Sequence, residues 1–203
     1  TGRADLGLLL LAATSLLIAL LTLAEYLWSL DFGIDALIGS PAASDSAQQL
    51  PMRMASVAAV AIALGAGALL LLALPATRRQ SMPQLLATAL GVLMLTTTYG
   101  HLYAVEALYR TDELSAIALH SSIVFLAFAL GLLAVTADRG WIADFSQPTP
   151  SSAAARNTLL AVALAVPVIG SLRLAGQHAG WYDTGFGLAI MSVVLTVVVT
   201  VLL

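Results

Sequence analysis

The sequence contains no cysteine and no lysine, and only 9% of its residues are charged. The missing cysteines exclude a disulfide scaffold and thiolate chemistry. The missing lysine leaves no amine for a retinal Schiff base and no P-loop lysine. So little charge excludes an ordinary soluble domain, where about 25% of residues are charged. It also excludes a disordered chain, which needs high charge and low hydrophobicity. A net charge of −3 offers no basic surface for nucleic acid, so no nucleic-acid partner is expected. What is present is 60% hydrophobic residues in 203, arranged in long uncharged runs. That composition belongs to an integral membrane protein whose main partner is the lipid bilayer.

A spanning helix needs about 20 largely apolar residues. Six stretches qualify, at about 6–28, 54–77, 85–108, 114–137, 157–176 and 184–203. None alternates as a membrane strand would. The expected fold is therefore all-α, a single domain over 1–203 forming a bundle of six transmembrane helices. Six spans put both termini on one side. With that side cytoplasmic, Arg3, Arg78, Arg79, Arg139 and Arg156 fall inside, against Arg53, Arg110 and Arg173 outside. This satisfies the positive-inside rule. The first apolar run is too long for a signal peptide and reads as an uncleaved anchor.

The outer loop has Leu30, Ile34, Leu37 and Ile38 at helical spacing, which predicts a short interfacial helix. The inner segment 147–152 reads as a flexible linker. The chain starts without Met and stops inside the sixth span, which points to residues before it and a cytoplasmic output domain after 203.

Ionisable residues within spans are costly and are functional hypotheses by default. His101 and His120 lie nine residues to either side of Arg110-Thr111, the expected hairpin turn. In continuous helices both would lie about 14 Å below the turn, in one layer. Three readings stay open: structural histidines between helices, a polar site for a ligand or a proton, or metal or bis-histidine haem ligation. The last would bring a b-type haem held by His101 and His120. Around them, Glu25, Asp35, Arg53, Glu106, Arg173 and Asp183 sit at outer helix ends and would line an outward site, with ion pairs such as Glu25–Arg53. No HExxH or GxSxG motif is present, so no catalytic site is expected within these residues.

The order of several short motifs resembles the N-terminal six-helix membrane sensory module of bacterial sensor histidine kinases and diguanylate cyclases. They are Glu25-Tyr26-Leu27-Trp28, Asp31-Phe32-Gly33-Ile34-Asp35, Pro51-Met52-Arg53-Met54, Gly100-His101-Leu102-Tyr103, Ala118-Leu119-His120 with its apolar run to Gly131, and Leu172-Arg173-Leu174 through Gly180-Trp181-Tyr182-Asp183-Thr184 to Gly187. The resemblance implies a homodimeric signal-input module in the bacterial inner membrane. Its sixth helix would feed a kinase or cyclase on the same chain, and His120 would be the more general sensing position. The alternative, from a different class, is a haem- or metal-binding membrane protein for redox or gas sensing or electron transfer.

Overall fold

The computed structural model describes residues 2–28, 54–73, 81–112, 115–138 and 140–202. The described residues are helical apart from short turns and one very small hairpin. In order, the elements are α1 (Gly2–Trp28), α2 (Ser56–Ala73), α3 (Ser81–Leu102), a 3-10 turn (Glu106–Leu108), β1 (Arg110–Asp112), β2 (Ser115–Ala116), α4 (Leu119–Val135), α5 (Ile142–Ser146), α6 (Pro150–His178) and α7 (Thr184–Leu202). Four segments are long and apolar enough to cross a membrane: Leu6–Trp28, Ser56–Ala73, Ser81–Leu102 and Pro150–His178. Leu119–Val135 and Thr184–Val198 are apolar but shorter. The expected interfacial helix around Leu30–Ile38 lies outside the described residues.

Two compact units form, Thr1–Gly140 and Trp141–Leu203. In the first, α1 packs on α2, α2 on α3, and α3 on α4, with α2 also touching α4. The helices alternate in direction. Tyr26 at the end of α1 donates from its hydroxyl to the Met54 carbonyl just before α2, at 3.0 Å. Ala61 of α2 shares a buried cluster with Leu90 and Met94 of α3, while Ala68 meets Ala87 further along. Between α3 and α4, Thr97 faces Ser122 at one end and Gln84 faces Thr136 at the other. One end of this unit therefore gathers the end of α1, the start of α2, the end of α3 and the start of α4.

Small side chains make this packing close. Ala12 and Ala19 of α1, Ala59, Ala61, Gly65, Ala66 and Ala68 of α2, and Ala87 and Ala129 of α3 and α4 are buried. Leu8, Leu11, Val124, Leu164 and Val193 instead face outward. In lipid, which is as apolar as leucine, helices associate by close van der Waals contact and interhelical hydrogen bonds. Gly65 shows the fit: a Cβ there would stand 2.6 Å from Cε1 of Phe128.

The third and fourth spans are shorter at their joined ends than 85–108 and 114–137. α3 stops at Leu102 because Ala104 takes a left-handed conformation, φ 54°. The Val105 N–H then bonds the Gly100 carbonyl at 2.8 Å, and the Ala104 N–H bonds that of His101 at 3.3 Å. This pair of bonds is the Schellman stop. The connection continues through the 3-10 turn and an antiparallel pairing of Arg110 with Ala116 and Asp112 with Ser115. The sequence conceals this stop, since the left-handed position holds alanine rather than glycine.

In the second unit α5 packs on α6 and α6 on α7. The segment read as a linker at 147–152 is instead a helix start. Thr149 caps α6 by accepting from the Ser152 N–H at 3.2 Å, and Pro150 occupies the first turn. Ser152 and Arg156 bind back to α5, through the Asp144 and Phe145 carbonyls, both at 2.6 Å.

Candidate functional site

Most of the buried polar side chains of the first unit lie at its gathered end. Thr22 and Glu25 lie one turn apart on α1 and are each 1% exposed. Thr97 of α3 is equally buried, and its hydroxyl lies 3.0 Å from both the Met94 carbonyl oxygen and Ser122 Oγ of α4. One turn on, His101 is half-buried. Its Nε2 is 2.8 Å from the Ile117 carbonyl oxygen. A carbonyl only accepts, so this bond assigns the proton to Nε2. Its ring stacks on Tyr109, with centroids 3.9 Å apart and planes 18° apart. The Ile117 N–H in turn donates to the Tyr109 carbonyl at 3.0 Å. The hairpin between α3 and α4 thus closes over His101.

His120 takes no part in this arrangement. It is the second residue of α4 and exposed, with no hydrogen bond or ring contact to His101. The two histidines sit near helix ends rather than deep in continuous spans. Nine residues on each side of the turn are spent largely on the 3-10 turn and the strands. This geometry does not fit a bis-histidine haem. His101 commits Nε2 to a carbonyl and one ring face to Tyr109, and no hydrogen bond or ring contact joins it to His120. No group of three or more His, Asp or Glu gathers among the described residues.

No protein-family model, no curated protein and no solved structure matches this chain.

The remaining sequence-predicted residues divide among three places. Asp35 and Arg53 lie outside the described residues. Glu106 opens the 3-10 turn and is exposed. Arg173 and Asp183 belong to the second unit, at the turn from α6 to α7. Asp183 caps α7, its Oδ1 accepting from the Phe186 N–H at 2.7 Å. Arg173 donates from Nη2 to the Thr184 carbonyl at 3.2 Å. Tyr182 donates its hydroxyl to the Arg173 carbonyl at 2.8 Å.

Sequence reasoning overlooked Ser122, Tyr109, Gln84 and Tyr182 as site or clasp residues. Gln84 is fully buried, and its Nε2 donates to the Thr136 carbonyl at 3.0 Å. An amide near the start of an apolar span was a visible signal, as was the Tyr182 position between two glycines of the chain, Gly180 and Gly185.

Proposed function

We propose that this chain is a six-helix sensory input module of a bacterial inner membrane, with both termini cytoplasmic. In this reading α4 and α7 also cross the bilayer, as the fourth and sixth spans. Their lengths fall within the range of about 17–25 residues for spanning helices. The module acts as a homodimer and passes a periplasmic or membrane-borne signal through its sixth helix to a kinase or cyclase output on the same chain. The observation that carries the reading is the set of buried polar groups at one end of the first unit, Thr22, Glu25, Thr97 and Ser122 with His101 beside them, against Gln84 and Thr136 at the other. Intramembrane polar groups are expensive and are kept where they act. The excess of arginine on the opposite side supports a periplasmic position for that end. Of the motifs that carry the family resemblance, Glu25–Trp28, Gly100–Tyr103 and Ala118–His120 lie at that end as well.

Two measurements test it. Reporter fusions after Gln80 and Gln147 should read cytoplasm, and fusions at Ser44 and His178 should read periplasm. A periplasmic signal at Gln80 overturns both the orientation and the sensory role. In the intact protein, His101→Ala and His120→Ala should each still insert, with at least one of them locking output in one state. Unchanged signal responses in both variants would make the histidines purely structural.

A further inference from the structure

The turn between α6 and α7 holds a cation that has no counter-charge among the described residues. Arg173 is half-buried, and a guanidinium is a permanent cation. Only Nη2 finds a protein acceptor, the Thr184 carbonyl. Nε is sealed from solvent, and among the described residues it meets no acceptor and no carboxylate pairs with the guanidinium. Asp183, close by in sequence, spends Oδ1 on the Phe186 N–H. One helical turn beyond Arg173, Gln177 donates from Nε2 to Thr184 Oγ1 at 3.0 Å, which leaves its Oε1 sealed and without a donor.

The surrounding frame is tightly built. The Tyr182 hydroxyl fixes the Arg173 carbonyl, and its ring fills the space left by Gly176 and Gly187. A Cβ on Gly187 would stand 3.2 Å from Arg173 Nε, so α7 approaches the guanidinium only because this residue is glycine. Solvent does not reach Nε, and water would not balance the charge of the guanidinium. An oxyanion balances it, and the planar fork of arginine matches phosphate. The neighbourhood is apolar and outward-facing: Leu172 is 66%, Trp181 80% and Phe186 58% exposed. An exposed indole and an arginine at one helix turn, among exposed apolar side chains, are the chemistry of the headgroup level of a bilayer.

We infer that Arg173 binds a phosphate oxyanion, and that the phosphodiester of a phospholipid headgroup is the source this surface favours. Binding at this turn is independent of the sensory role proposed above. Native mass spectrometry of the intact protein, released from phosphatidylglycerol nanodiscs, should show one retained phospholipid. Losing a charge-assisted hydrogen bond of about 1.5–3 kcal/mol corresponds to roughly 10- to 100-fold weaker retention in Arg173→Gln, with Arg173→Lys intermediate. Titration of the detergent-solubilised protein with inorganic phosphate separates the sources. An Arg173-dependent rise in unfolding temperature with phosphate, and no retained lipid, assigns the site to free phosphate. Equal retention by wild type and Arg173→Gln overturns the proposal. Should Arg173→Gln fail to fold, the wild type decides alone: neither retained phospholipid nor stabilisation by phosphate also overturns it.

Discussion

Replacing Gly176 with alanine tests the packing of the α6–α7 turn most directly. The new Cβ would stand 2.7 Å from Cζ and 2.8 Å from Cε1 of Tyr182, and closer still to its hydroxyl oxygen. Carbon atoms reach their best separation at about 3.5–4.0 Å, so the ring must move by most of an ångström. Two contacts oppose that movement. The hydroxyl is held at 2.8 Å by the Arg173 carbonyl. The far edge of the ring lies against Gly187, where a Cβ would meet Cε2 at 2.8 Å and Cδ2 at 3.2 Å. Overpacking of this kind costs about 1–3 kcal/mol. Tyr182→Phe removes the atom nearest the new methyl and the bond that anchors the ring. By itself it loses one hydrogen bond, about 0.5–1.5 kcal/mol, and belongs at the low end because the Arg173 carbonyl keeps its place in the helix ladder. In the double variant the freed ring can shift, so the combined loss should fall short of the sum by about 1 kcal/mol. Reversible unfolding in mixed micelles with increasing dodecyl sulfate, followed by circular dichroism on all four proteins, measures the cycle. Losses that add within about 0.5 kcal/mol, or a neutral Gly176→Ala, would refute this account of the turn.

Three further outcomes follow from the first unit. Ala104→Gly should stabilise the protein by about 0.5–1 kcal/mol in the same assay, since a left-handed alanine carries about 1–2 kcal/mol of strain, offset in part by the extra freedom of glycine when unfolded. Ala104→Val should destabilise it. His101→Phe should keep the stacking on Tyr109 and cost about 1–3 kcal/mol by leaving the Ile117 carbonyl without its donor, whereas His101→Ala should cost more. For Glu25, buried beside the start of α2, pairing with Arg53 would make Glu25→Gln and Arg53→Ala each lower stability by up to about 3–5 kcal/mol without adding to one another; fully additive losses would show that the two residues do not interact.

The helical class and the positions of α1, α2, α6 and α7 were legible because uncharged apolar runs of this length have few other uses. The end of α3 was not. Val105, Leu108 and Ile117 are as apolar as the residues before them, and the stop depends on one alanine adopting a conformation that its chemistry disfavours. Once the helix ends early, His120 moves from the outer half of a longer span to the first turn of α4, and the layer it was expected to share with His101 dissolves. The hydroxyl bridge between α3 and α4 was hidden for another reason. Thr96 and Thr98 flank Thr97 and bond carbonyls of their own helix, as Thr14 does in α1. Thr97 differs only in its direction, which no composition or spacing distinguishes. Arg173 and Asp183 were legible as helix-end charges, but their separation into a cap and an unbalanced cation required the structure.

The polar contacts of the first unit also explain how a seam of small residues holds one register. Alanine and glycine give close approach but few knobs, so such surfaces can slide or rotate at low cost. Between α3 and α4 that freedom is removed from both ends: Gln84 on the Thr136 carbonyl at one, Thr97 on Ser122 and His101 on the Ile117 carbonyl at the other. In a dry interior each broken bond leaves a polar group exposed to hydrocarbon, and sliding by one residue breaks them together. The two ends are not equivalent. Gln84 donates directly to backbone and is itself fully buried, whereas His101 is half-buried and reaches its carbonyl from beneath a 3-10 turn and a strand pair of two and three residues. On the sensory reading, the histidine end is therefore the one that a signal would release, with the Gln84 end as the pivot that converts the release into a tilt of α3 against α4.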